Sequence, residues 1–425
     1  MNTKEHGRRR FLKESAALAG LAIAGGRFAR AQDGPVGTIP DVNAPDFNPP
    51  GMFGPDGPPY GTPSSFEKSK RQFMAGLGVT TPHQDLHGII TPSGLHFVIN
   101  HGSPLPDIDP QQHRLLIHGM VDRPLIYTLD EVKQLPSVTR IHFLACAGNS
   151  YLDPATRANP PQTVQRTHGA TSCSEWTGVP LSVLLRESGV QKEGSWLLCE
   201  GAEWKKHTIS IPLTKAMDDV MVAYAQNGEA LRRENGYPMR LLAPGFEGTR
   251  NVKYLRRIKV VDRPYMTKWE TGVYTNLLPS GKARWFQFEL EPNSVITRPS
   301  AGLRLSGPGF CEITGIAWSG AGKIRKVDVS TDGGRTWKPA QIQEPVYSKA
   351  HTRFRFPWHW NGEETVIQSR STDEWGAVQP TLAELTKIWG VTLDYWRTDT
   401  ARLQHFNASQ PWTIKPDGSV RNEIW

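Results

Sequence analysis

Hydrophobic and polar positions alternate with a period of two in several short runs of this chain, and follow a helical period in only a few. LHFVINH (95–101), HRLLIHG (113–119), IHFLAC (141–146), SWLLCEGA (195–202) and HTISIPL (207–213) predict strands. Between them, TLDEVKQLP (128–136) predicts a short helix and PLTKAMDD (212–219) a turn or short helix. PLSVLLRESG (180–189) predicts a helix that stops at Gly189, a residue suited to a C-terminal cap. The texture changes near residue 285. RWFQFELEPNSVITRP (284–299), CEITGIAWSG (311–320), IRKVDVSTDGGRTWKPAQI (324–342) and TRFRFPWHW (352–360) alternate apolar and polar residues between turn signals. Asp332-Gly333-Gly334 is the clearest turn, and Trp337 sits where a strand should resume. This pattern predicts an antiparallel β-sandwich. Helical signal returns only in TLAELTKIW (381–389). The expected fold class is α+β: a mixed domain over 86–270, a sandwich over 285–400 and a tail over 401–425.

The N-terminal segment reads as an address. Arg8-Arg9-Arg10-Phe11-Leu12-Lys13 precedes an apolar stretch from Ala16 to Gly26 and the A-x-A pattern Ala29-Arg30-Ala31. The basic pair followed by F-L-K resembles a Tat signal over 1–31 and predicts export to the periplasm, with folding and cofactor insertion completed beforehand. Residues 32–85 form an arm, densest in Pro and Gly up to residue 65, with little regular structure expected. The signal also carries most of the charge. Seven lysines and arginines against two acidic residues in 1–31 leave only +3 of the total +8 to the remainder, which gives nucleic-acid binding little support. No run of about 18 apolar residues occurs, so no membrane span is expected. With 425 residues, 38% hydrophobic and 21% charged, the chain can build more than one core.

Cys146 stands at the end of an apolar run, beside Ala147, Gly148 and Asn149. The residues alone leave three readings: a buried apolar cysteine, a thiolate ligand for a soft metal, or a nucleophile needing a nearby histidine. Small neighbours would let something bulky approach the backbone. Cys173, Cys199 and Cys311 show neither zinc-site spacing nor a disulfide framework, and a Cys173–Cys199 bridge stays open. His83, His87, His96 and His101 are read mainly as loop or surface histidines, with a zinc or copper site as the alternative.

Several segments in order then narrow the choice. FVINHGSPLPDIDPQQHRLLIHGMVDRP, IHFLACAGNS, WTGVPLSVLL, MVAYAQNGEALRRENGYPMRLLAPG, TRNVKYLRRIKV and VDVSTDGGRTW together resemble the sulfite oxidase family of molybdenum enzymes. AYAQNGEALR, GYPMRLLAPG and TIKPDGSVRNEIW are similar to its sulfane-oxidising branch in particular. The resemblance implies a molybdopterin domain followed by an immunoglobulin-like sandwich that forms a homodimer. It implies molybdenum bound to molybdopterin, with Cys146 as the protein's metal ligand. Asn100, His101, Glu203, Asn235, Arg240, Arg250, Asn251, Val252 and Lys253 would bind the cofactor, with Arg240 and Lys253 near its phosphate. Tyr274 in ETGVYTN would be catalytic, bonding substrate oxygen or shuttling a proton.

The implied reaction transfers oxygen from a molybdenum oxo group, replenished by water, to reduced sulfur. A c-type cytochrome subunit would take the electrons, since CxxCH is absent and no haem is expected in this chain. Family members acting on sulfite place arginines where this chain has Ile99 and Tyr151, and many have a histidine at Asn235. Two lost charges disfavour a free dianion and favour sulfane sulfur on a carrier protein, unless Arg157 or Arg166 refills the pocket. A free-sulfite dehydrogenase is the alternative within this chemistry, and an exported binding module is the alternative outside it.

Overall fold

A computed structural model describes residues 63–64, 66–74, 78–101, 104–150, 162–278, 280–284, 287–398 and 405–422. The expected signal, most of the arm, Tyr151 and Arg157 lie outside the described residues.

Two five-stranded sheets build the first part. One has the order Glu229–Ala230, Met221–Gln226, Thr171–Pro180, Val138–Ala145, with Arg240–Leu242 also paired to Met221–Gln226. The other runs Leu125–Tyr127, Leu115–Gly119, Leu255–Val261, Trp196–Gly201, Thr208–Pro212; only the pair Leu115–Gly119 with Leu255–Val261 is parallel. Leu115, Leu197, Ile209 and Ile258 of the second sheet share a core with Val179, Val222 and Leu241 of the first. The expected helices close this core. Leu129–Gln134 starts at a capping box between Thr128 and Glu131, and Leu181–Ser188 ends at Gly189 with φ 69°.

Two elements differ from expectation. LHFVINH gives only the strand Val98–Ile99, because residues 93–95 form a 3-10 turn and Ser172 Oγ takes the Phe97 amide. Thr171–Pro180 is a ten-residue strand with no alternation to announce it, since both of its faces are buried.

The second part is a two-sheet sandwich. One sheet has the order Asn293–Arg298, Gly309–Trp318, Thr352–Trp360, Gln341–Ile342. The other runs Lys338–Pro339, Ile324–Ser330, Thr365–Asp373, Trp412–Ile414, Val420–Arg421. The region expected as a tail thus supplies two strands, and Trp412 and Ile414 are buried in the sandwich core. Helix Leu382–Trp389 is present, capped by Thr381 and Glu384 and stopped by Gly390 at φ 64°. All four cysteines are unbridged, so the open Cys173–Cys199 pairing does not form. No helix among the described residues is long and apolar enough to cross a membrane.

The strand Val138–Ala145 is held from both sides. Phe143 and Ala145 join Cys173 and Val164 in the sandwich core, while Leu144 packs with Trp176 and Met221 on the other face. A buried ion pair fixes the neighbouring turn: Arg250 Nη1 lies 2.8 Å from Glu270 Oε1, and Glu270 also accepts from the Ser210 amide and hydroxyl. Removing one partner strands the other charge, so Glu270→Gln should cost about 3–5 kcal/mol of stability in urea unfolding.

Candidate active site

Cys146 is the first residue past its strand. Its amide donates to Ala170 O at 2.9 Å and its carbonyl accepts from Asn149 N at 3.0 Å, so the turn sets the direction of the thiol. Burial pushes the thiol pKa up to about 11, against the opposing effect of the Gly148 and Ala147 amides. Ala147 is buried in the first core. On the facing turn Gly248 lets that turn's backbone lie against the strand end, where a Cβ would stand 2.7 Å from Ala145 O and 3.3 Å from Cys146 Cα.

The thiol borders a pocket enclosing about 730 Å³, part of it open to solvent. Nine of the expected site residues meet there: Asn100, His101, Cys146, Glu203, Asn235, Arg240, Asn251, Lys253 and Tyr274. Two do not. Arg250 turns away into its ion pair with Glu270, and Val252 is buried in the apolar core. Arg166 does not line the pocket, so it does not refill the position of Ile99, which does. Of the four clustered histidines, His96 and His101 border the pocket, His83 is buried against Thr171 O and His87 is exposed. They make no metal site: among the described residues no group of three His, Cys, Asp or Glu side chains could hold an ion.

The pocket brings basic groups and unpaired acceptors within electrostatic reach of one another. Arg240 and Lys253 are cations without a carboxylate among their hydrogen-bond partners. Arg240 donates to Asn235 O at 2.8 Å and Asn251 O at 3.1 Å, and its buried Nε has no partner. Lys253 donates to Ile99 O, Asn100 Oδ1 and Glu234 O. Burial, then the charge of Arg240, lowers the Lys253 pKa to about 7. The pocket also holds unused acceptors. Glu203 takes the His207 amide on Oε1 and leaves Oε2 buried without a partner; burial raises its pKa. His207 donates Nε2–H to Thr249 O at 2.8 Å, which leaves Nδ1 an unpaired acceptor.

His101 stacks on His207 at 4.7 Å and on Trp269 at 4.2 Å, and its Nε2 meets the Tyr274 hydroxyl at 3.1 Å. Burial holds the Tyr274 hydroxyl protonated, well above its ordinary pKa. Sequence reasoning missed His207, Thr249 and Trp269. HTISIPL announced only a strand, and nothing local marks a histidine whose partner lies forty-two positions away.

Residues 101–269 match the oxidoreductase molybdopterin binding domain and residues 284–400 the Mo-co oxidoreductase dimerisation domain. The crystal structure of the sulfane dehydrogenase SoxCD from Paracoccus pantotrophus superposes with a TM-score of 0.80 at 41% identity, covering 86% of this chain and 93% of that one. The chain belongs to the sulfite oxidase family of molybdenum enzymes. Mitochondrial sulfite oxidase of Rattus norvegicus is 31% identical over 72% of this chain and 60% of its own length. The NADH nitrate reductase of Solanum lycopersicum is 34% identical over 69% of this chain and 36% of its own length. The chain therefore spans about 60% or less of these curated relatives. Because the relatives include both sulfite oxidases and nitrate reductases, membership in the sulfite oxidase family leaves the substrate to the details of the pocket.

Those details fit a molybdopterin. A thiol can bind a soft metal, Arg240 and Lys253 can hold an anionic group whose charge would favour the protonated lysine, and Glu203 Oε2 with His207 Nδ1 can accept from ring N–H groups. The low pKa of Lys253 has a consequence for the cofactor-free chain. For this group alone, between pH 7 and about 10 the unfolded chain binds more protons than the folded one, so the Lys253 contribution to stability rises with pH, while the buried cysteines, whose pKa values are raised, oppose it above about pH 8.5. Melting of cofactor-free protein at constant ionic strength should show the difference between wild type and Lys253→Met shifting in favour of wild type from pH 7 to about 9.5.

Proposed function

We propose that this protein oxidises reduced sulfur held on a carrier protein, as a periplasmic homodimer that passes electrons to a c-type cytochrome. The observation that carries the substrate preference is the apolar wall at Ile99. The pocket cations Arg240 and Lys253 are engaged by main-chain carbonyls, with Asn100 Oδ1 also on Lys253. A neutral or weakly charged sulfur group suits such a wall better than a free dianion, whose charge-assisted bonds need fixed cations. The likeness to a sulfane dehydrogenase structure supports the same reading. The Arg8-Arg9 segment supports export in a folded, loaded state, and the match to a dimerisation domain supports the dimer.

When bound, the molybdenum cofactor supplies oxygen-transfer and electron-transfer chemistry. The chain's own residues prepare for it. Cys146, protonated in the bare protein at neutral pH, gives up its proton on binding metal and anchors it as a thiolate. Arg240 and Lys253 would hold the anionic part, and Glu203 and His207 would orient the ring system through its N–H groups. Tyr274 keeps its proton and is aimed by His101, so its hydroxyl is positioned to bond an oxygen of substrate or product.

Steady-state assays of purified holoenzyme with cytochrome c test the substrate. Free sulfite should turn over poorly at micromolar concentrations, and Ile99→Arg should raise kcat/KM for sulfite roughly tenfold or more, the worth of one charge-assisted bond. Rapid wild-type turnover on dilute free sulfite would make the free-sulfite reading the correct one. Cys146→Ser should lose turnover and metal while its melting temperature stays within a few degrees, because a hydroxyl is a harder and far less acidic ligand.

A further inference from the structure

Two buried arginines near the pocket meet opposite fates. Arg250 is neutralised by the Glu270 carboxylate at 2.8 Å. Arg240, only 3% exposed, has no carboxylate on its guanidinium. Against its face stands Trp176, with the guanidinium carbon 5.1 Å from the ring centroid. Trp176 is fully buried and does not line the pocket. Its Nε1 donates to His142 O at 3.1 Å, and His96 packs edge-on against it at 5.8 Å and 85°. The indole is pinned on its rim while one face meets the cation.

A guanidinium buried without a counter-ion is strongly disfavoured. A carboxylate would relieve that cost, but it would also cancel the charge an anionic ligand needs. An indole face attracts the cation through its quadrupole, carries no net charge and leaves the N–H donors free. We propose that Trp176 is a positioning residue that holds the charged Arg240 in place without neutralising it beside the pocket, so that its remaining donors meet the anionic part of the cofactor. This inference rests on the molybdopterin reading of the pocket.

The test uses the full chain purified as holoenzyme, with Trp176→Phe, Trp176→Leu and a control, Leu231→Ala, in the same apolar cluster. Circular dichroism and melting establish folding. Molybdenum and pterin retained per chain are then measured after gel filtration at rising salt. Wild type and Leu231→Ala should release cofactor at the same salt concentration, Trp176→Phe earlier, and Trp176→Leu with roughly tenfold weaker retention. A folded Trp176→Leu that holds cofactor as firmly as wild type overturns the proposal. So does a Leu231→Ala that loses it as readily as Trp176→Leu, since packing would then explain the effect. Should Trp176→Leu not fold, Trp176→Phe decides: an unchanged release point overturns the proposal and an earlier one, with the control unchanged, supports it. Wild-type protein holding neither molybdenum nor pterin would instead overturn the cofactor reading itself.

Discussion

The strand that leads into Cys146 has no free face over its last four residues. Phe143 and Ala145 are committed to the sandwich core and Leu144 to the cluster around Trp176, so the strand can neither twist nor slip without exposing one side. The thiol inherits that rigidity. The turn Gly248–Arg250 packs against the same strand end through a glycine, and Glu270 holds the turn through Arg250. The helix Lys268–Thr271 carrying Glu270 leads directly to Tyr274. Thiol, pocket wall and hydroxyl are thereby placed by one connected set of buried contacts.

Around this frame the protein treats its buried charges unequally. Arg250 and Lys215 have carboxylate partners, Glu270 and Asp219, and serve the fold. Arg240 and Lys253 rely on main-chain carbonyls, an amide and an aromatic face, and so keep an electrostatic demand that folding alone does not satisfy. An anionic ligand meets that demand. Ile99 lines the same pocket and takes the Lys253 ammonium on its carbonyl at 3.1 Å.

Much of the architecture was legible from residues a few positions apart. Gly189 stops its helix, Thr128 with Glu131 and Thr381 with Glu384 start theirs, and the alternation after residue 285 belongs to a sandwich. Where both faces of a strand are buried, as in Thr171–Pro180, that local signal vanished. The pocket was legible through its motifs, which brought nine of eleven expected residues to one place.

What the motifs did not settle was the job of each side chain. Arg240 and Arg250 look alike in sequence and both lie over an aromatic ring, yet only Arg250 also has a carboxylate partner. His207 lay unnoticed at the start of a strand, and Cys173 and Cys199 kept an open pairing that the fold places in separate cores. Periodicity, caps and motif order are written in neighbouring residues, and the sequence by itself determined them. Charge compensation, hydrogen-bond completion and burial depend on groups brought together from distant positions, and only the tertiary structure decided those.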